Sequence, residues 1–292
     1  MKVMQCVMVI LNYRDSERAI MLADRCKHFS VIDKIVIVDN DSMDGSYERL
    51  RVLESEKIDI LKAEKNGGFS AGNNVGARYA MEKYAPKYIF FANTDTIFEE
   101  DKVIACLQAL EENSSLGLVS MRMVGPDNKE QNASYQYPTY SSYLKGFFWI
   151  GRRCYYNAVM SRKEYKSSIE YVDIIRGSFM FFRANALKQA GYFDENTFLY
   201  CEELIISWRL RAIGYMVGLL TDKYYIHDHI EVPTNQSLTA TKRLYDSRYY
   251  FAVNYWKIGY AKRVLMKILE KYSIFEMRII DSIKYLSRGG RK

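Results

Sequence analysis

The sequence predicts an α/β fold built on a parallel sheet with helices on both faces. Two observations predict it. Short, near-continuous apolar runs alternate with stretches of helical spacing over the first hundred residues. Parallel strands buried on both faces read as such runs, because crossover helices cover the sheet on either side. The chain is also 292 residues long and 49% apolar, enough for one large core.

The elements follow in order. Val7–Leu11 is the first apolar run, read as a core strand rather than a signal peptide. Arg14–His28 has helical spacing through Ala19, Leu22, Ala23 and Cys26. Lys34–Val38 is the second run, and Gly45–Leu53 can form a helix after it. Ile58–Leu61 is the third run. Gly76–Tyr84 reads as a helix that Pro86 cannot continue. Tyr88–Ala92 is the fourth run. Residues 125–172 are polar and aromatic with few clear elements, either a surface excursion or a loop set over a cleft. Ile174–Phe182 reads as a strand, Ala184–Ala190 as a short helix, and Ser207–Ile213 as part of another that stops at Gly214.

The strand ends carry the chemistry. The first run ends in Asn12-Tyr13 and the second in "VDNDSMDGS", which contains Asp39. The third leads into "NGGFSAGNNVG", with Asn66, Gly72 and Asn73. The fourth ends in Asn93-Thr94-Asp95-Thr96. In a parallel sheet these ends share one edge, where ligands bind. The glycine spacing does not match a dinucleotide fingerprint. Asp95 either serves that edge or caps a helix beginning near Glu99–Val103.

Composition narrows the classes. Five scattered cysteines form no CxxC pair, which points to a reducing compartment and away from zinc ribbons. No run approaches the roughly 18 apolar residues of a spanning helix. Residues 240–292 hold 13 Lys/Arg against 4 Asp/Glu, whereas the rest of the chain holds 29 against 31. The positive charge belongs to an appendage, not to a nucleic-acid cleft. Two amphipathic stretches, Lys257–Tyr272 and Ile274–Leu286, lie in that appendage. They either pack on the body or lie on anionic lipid.

The stretches "LNYR", "VDNDSMDGS", "NGGFSAGNNVGA", "FANTDT", "RGSFMFFRANALKQAGYFDE" and "FLYCEELIISWRLRAIGY" together resemble family 2 glycosyltransferases, in the rhamnosyltransferase-like branch. The resemblance runs from about Val7 to His229. It implies a GT-A fold, with a nucleotide-binding half over 1–100, an acceptor half over 101–235 and a helical extension over 236–292. It implies inverting transfer from a UDP- or dTDP-sugar, dTDP-rhamnose first, to a glycan or lipid-linked acceptor. Other UDP-sugars are the alternative. The expected setting is cytoplasmic, at the inner membrane face, with no nucleic-acid partner.

The resemblance also assigns residues. Tyr13 can stack on a pyrimidine, and Asp39 would accept from its N3–H. Asn12, Asn66, Gly72, Asn73, Asn93, Thr94, Arg176 and Gly177 complete the donor site. Asp95 and His227 would hold Mn²⁺ or Mg²⁺, which takes oxygen ligands from few carboxylates plus substrate phosphates. Asn93 stands where other members carry a second Asp. Glu203 would be the general base, supported by Glu202. Ile205 stands where the branch often has a further Asp. Arg209 would face Glu202, the diphosphate or a surface partner. His229 forms a pair with His227 in "YYIHDHI". A nucleotidyltransferase would need a glycine-rich basic loop at the first strand end, which is absent. A non-catalytic sugar-nucleotide-binding module is the remaining alternative.

Overall fold

The computed structural model describes residues 5–148, 150–152, 155, 159, 165–228 and 238–289. His229 lies outside them. Strand β1 (Cys6–Asn12) sits between β2 (Lys34–Asp39) and β4 (Tyr88–Ala92), parallel to both, and β3 (Ile58–Lys62) adds to β2. These four strands fall where the apolar runs place them, and all but the edge strand β3 are almost wholly buried. The sheet then turns mixed. It runs β3-β2-β1-β4-β11-β6-β12-β5, with β5 (Thr96–Ile97), β6 (Leu116–Val124), β11 (Phe179–Arg183) and β12 (Met216–His227). Strand β11 is antiparallel to β4 and β6, and β12 is parallel to β6. Short strands β7 (Glu130–Gln131) and β9 (Ile169–Val172) pair with β6 and β12, while β8 (Ser134–Tyr135) pairs with β10 (Ile174–Ile175).

Helices α1 (Ser16–Cys26) and α2 (Ser46–Arg51) match their expected positions. Helix α3 (Gly68–Tyr84) begins eight residues before the expected Gly76. Its first half is rich in Gly, Asn and Ser, which local propensity assigns to a loop. Packing overrides propensity there. A Cβ on Gly72 would stand 2.5 Å from Leu11, and one on Gly76 would stand 2.6 Å from Val9. The glycines let the helix lie directly on β1.

Helix α4 (Glu100–Glu112) is preceded by Glu99 at its N-cap, so Asp95 is not that cap. The single strand expected over Ile174–Phe182 is broken at Arg176-Gly177-Ser178 between β10 and β11. Helix α5 (Tyr140–Lys145) follows β8, α6 (Ala184–Gln189) follows β11, and α7 (Glu202–Ala212) precedes β12. Gly214 has φ +89° just beyond α7, as its stop position requires. The core of the mixed sheet is aromatic. Phe90 lies 4.6 Å from Phe179 and 5.1 Å from Phe181, ring centre to ring centre.

The chain divides into two compact units: Met1–Tyr135, Lys163–Phe198 and Glu202–Glu231 in the first, and Gln136–Arg162, Leu199–Cys201 and Val232–Lys292 in the second. The first holds the sheet. The second joins part of the aromatic segment to the C-terminal helices α8 (Leu238–Asn254) and α9 (Tyr260–Gly289). Its core pairs Phe147 with Tyr245 at 4.8 Å and Tyr143 with Trp256 at 4.9 Å. At Tyr143 and Phe147 the segment is therefore not a plain surface excursion: both side chains are buried in a second core that sequence separation conceals. Among the described residues, no helix is long and apolar enough to cross a membrane.

Candidate active site

The ends of β1, β2 and β4 form one edge of the first unit, tied together by side chains. Asn12 Nδ2 donates to Asp39 Oδ1 at 2.8 Å. Asn12 Oδ1 accepts from the Asp15 backbone N–H at 3.1 Å. Asp15 Oδ2 accepts from Thr94 Oγ1 at 2.7 Å. Asp15 stands at the N-cap of α1 and makes no cap bond of its own, because its carboxylate is spent on Thr94. Sequence reading missed Asp15; its one signal was a carboxylate directly after "NYR". The chain of bonds carries from Asp39 to the neighbour of Asp95.

Asp39 itself is 1% exposed. Beyond Asn12, its oxygens accept from Ser42 N–H at 3.1 Å and Ser42 Oγ at 2.6 Å. The carboxylate is buried and organises the 39–42 turn. Arg14, Asp41 and Met43, around that turn, have φ between 55° and 58°. Left-handed backbone at non-glycine residues costs roughly 1–3 kcal/mol each and gathers at functional loops. Tyr13 is 44% exposed at the same edge, with the Arg14 guanidinium 5.2 Å from its ring.

The glycine-rich stretch serves shape more than contact. Asn66 Oδ1 accepts from Gly68 N–H and from Asn40 Nδ2, each at 3.0 Å. Asn73 is buried and donates to the Phe69 carbonyl at 3.1 Å. A Cβ on Gly72 would meet Leu11 at 2.5 Å and Asn40 at 3.1 Å, so the glycine lets the helix lie close on the sheet. Gly68 is the tightest position. Its φ is +86°, and a Cβ there would stand 1.9 Å from the Phe198 carbonyl oxygen. Phe69 N–H donates to that same oxygen at 3.0 Å. Gly68→Ala is expected to lower unfolding stability by roughly 2–4 kcal/mol, from combined strain and overpacking. Chemical denaturation checks this, and a change below 1 kcal/mol would contradict the Phe198 clash.

Asp95 and His227 meet because β5 pairs with the end of β12, setting His227 opposite Thr96. His227 Nε2 lies 3.3 Å from Asp95 Oδ2, and both side chains are mostly enclosed. Asp228 N–H donates to the Asp95 carbonyl at 2.7 Å, which fixes the corner. Asn93, two residues away, is half-buried. The amide oxygen can add only a weak ligand. Among the described residues no group of three or more His, Cys, Asp or Glu could hold a metal. One carboxylate and one imidazole fit a hard divalent cation that draws its other ligands from phosphate and water.

Arg176, Gly177 and Ser178 arrive at this edge because β11 is antiparallel to β4, opposing Phe179 to Ala92. Asn93 N–H donates to the Ser178 carbonyl at 2.9 Å. Arg176 donates through Nε to the Asn132 carbonyl at 3.2 Å. A Cβ on Gly177 would meet only Phe69, at 3.7 Å. The protein itself does not require glycine there; a closely approaching ligand would. Ser178 Oγ and Tyr225 Oη share a hydrogen bond of 2.7 Å. Burial pushes the Tyr225 phenol well up; Ser178 and Arg176 offset this in part, and Asp95 adds to it. Tyr225 therefore stays protonated beside the Asp95 corner. Neither Ser178 nor Tyr225 was singled out from the sequence, where both read as ordinary strand residues.

Helix α7 opens with Glu202 and Glu203, where the helix dipole favours carboxylates. Glu202 is buried. Glu203 is half-buried; its Oε2 is enclosed and has no hydrogen-bond partner. An enclosed acceptor without a donor calls for an explanation, such as a ligand hydroxyl. Ile205 is wholly buried and belongs to the core. Arg209 donates to the Tyr192 carbonyl at 3.1 Å and to Asp194 Oδ2 at 2.8 Å. It locks the turn that leads to Phe198, rather than reaching a surface partner.

Residues 25–188, more than half of the chain, match the sequence profile of Glycosyl transferase family 2. The chain belongs to that family. It is 28% identical over 211 residues to the low-salt glycan biosynthesis hexosyltransferase Agl10 of Haloferax volcanii, covering 72% of this chain and 62% of that one. It is 26% identical over 220 residues to the rhamnosyltransferase WbbL of Escherichia coli K12, covering 73% and 70%. It thus spans somewhat under two thirds of the Agl10 length. The fold is that of the mannosyltransferase PcManGT from Pyrobaculum calidifontis in complex with GDP-Man and Mn²⁺, with TM-score 0.57, 13% identity, and coverage of 98% of this chain and 79% of that one. The architecture of the glycosyltransferase is accordingly GT-A.

Proposed function

We propose that this glycosyltransferase moves a sugar, with inversion, from a UDP- or dTDP-sugar to a glycan or lipid-linked acceptor in cell-surface polysaccharide synthesis at the inner membrane face. The observation that carries the reading is the Asp95–His227 pair on the strand edge that also holds Asn12, Tyr13 and Asp39. Tyr13 offers its exposed ring to the base. Asp39, Asn12 and Ser42 hold the turn that shapes the base pocket. Asn66, Gly72 and Asn73 act through helix placement, and Thr94 through Asp15. Arg176 brings positive charge beside Tyr225, and Gly177 leaves space for the donor sugar.

Asp95 and His227 would hold Mn²⁺ or Mg²⁺, which when bound neutralises charge on the diphosphate leaving group. Glu203 Oε2 takes the proton from the acceptor hydroxyl as its oxygen attacks the anomeric carbon. Attack from the face opposite the diphosphate inverts that carbon. Glu202 supports Glu203 at the start of α7.

The rhamnosyltransferase name of WbbL favours a rhamnosyl donor, taken here as dTDP-rhamnose, and the hexosyltransferase name of Agl10 keeps other hexoses, taken here as UDP-sugars, as the second choice. The test is a panel of UDP- and dTDP-sugars with Mn²⁺ and an acceptor extract, read by nucleoside diphosphate release and by the anomeric configuration of the product. Release with dTDP-rhamnose and an inverted anomer is expected. A retained anomer would overturn the base assignment. Tight donor binding with no release would favour a binding module.

A further inference from the structure

Helix α9 carries an apolar stripe that its own fold leaves largely exposed, although the Tyr272 ring meets that of Phe148 at 5.6 Å. The stripe runs Tyr260, Val264, Ile268, Tyr272, Phe275 and Ile279. At 3.6 residues per turn these six side chains fall within an arc of about 120°. All are exposed, Tyr260 by 83%, Ile268 by 58% and Phe275 by 62%. The side that packs within the second unit is another one. It presents Met266, Glu270 and Ser273, all buried, and Ser273 shares a 2.7 Å hydrogen bond with Tyr245. Those three positions lie about 180° around the helix from the centre of the stripe. The two amphipathic stretches of the sequence form one helix.

Positive charge lines one edge of the stripe. Arg263, Lys267 and Lys271 border a groove of about 430 Å³ with Tyr249 and Tyr260. The acidic side chains described nearby are spoken for. Glu276 pairs with Arg152 at 3.0 Å, and Lys267 takes up both Glu270 at 2.8 Å and Asp246 at 3.7 Å. Arg263 and Lys271 have no ion-pair partner among the described residues, and Arg278 lies exposed on the same edge. Exposed aromatics and aliphatics from Tyr260 to Ile279, fringed by cations without an ion-pair partner among the described residues, complement an acyl–headgroup boundary carrying negative charge. A second copy of the chain would bring the same cations against themselves.

We infer that α9 docks on an anionic phospholipid surface, with the stripe in the acyl boundary and Arg263, Lys271 and Arg278 against lipid phosphates. The inference rests on this helix alone and is independent of the donor-site reading. The experiment is co-sedimentation of the full chain with phosphatidylcholine vesicles, with and without phosphatidylglycerol. Binding only to the anionic vesicles is expected, weakening as salt rises. The variant Ile268→Asp/Phe275→Asp should lose binding by more than about tenfold, and Arg263→Glu/Lys271→Glu by about tenfold or more. Circular dichroism and nucleotide binding of both variants should match the parent. No sedimentation with anionic vesicles, or equal sedimentation with neutral ones, overturns the inference. So does a dimer in solution that Ile268→Asp/Phe275→Asp converts to a monomer without any vesicle binding, which would assign the face to a second copy.

Discussion

Glu203→Gln is expected to reduce sugar transfer by about 10²–10⁴-fold while leaving donor affinity unchanged. The substitution keeps size and helix position but removes the only function proposed for the side chain, proton acceptance. Among the described residues the enclosed Glu203 Oε2 has no donor. Removing the charge therefore breaks no bond at Oε2 and should cost little stability. Glu202→Gln, in the same first turn, should reduce turnover less, since Glu202 acts through its neighbour. The two variants are compared by product formation at saturating donor and by calorimetric donor binding. Near-parental turnover in Glu203→Gln would remove Glu203 from the chemistry. A matched loss of donor affinity would instead assign it to binding.

The second large effect is at the Asp95–His227 corner. Asp95→Ala should reduce turnover by more than about 10²-fold and abolish the Mn²⁺ dependence of donor binding. His227→Ala leaves the carboxylate in place and should lower metal-supported donor affinity by about 10–100-fold. Asn93→Asp supplies a second carboxylate beside Asp95 and should raise Mn²⁺ affinity. Mn²⁺ binding followed by electron paramagnetic resonance, with nucleotide present, reads all three without turnover. Unchanged Mn²⁺ binding in Asp95→Ala would show that the pair with His227 at 3.3 Å is structural.

Much of this fold was legible in one dimension, and the reason is local. Strands β1, β2 and β4 are buried on both faces, so their residues had to be continuous apolar runs, and the polar groups at their ends stood out. Helix α1 kept its 3.6 period. Helix α3 was half hidden, because Gly68, Gly72 and Gly76 answer to Phe198, Leu11 and Val9 rather than to helix propensity. The break at Arg176–Ser178 was hidden for a similar reason, since strand β10 leaves the main sheet to pair with β8.

What the sequence by itself determined was the order of the elements over the first hundred residues, the family, and which carboxylates stand at strand and helix ends. Those are properties of nearest neighbours and of recurrent spacing. Only the tertiary structure decided that Asp39 is buried, that Asp15 and Thr94 connect the strand ends, and that Tyr225 stands beside Asp95. It also decided which face of α9 packs. A helical period marks an apolar side, but burial depends on what the neighbouring helix offers. Here Tyr245 offered a hydroxyl to Ser273 and left Ile268 and Phe275 in solvent.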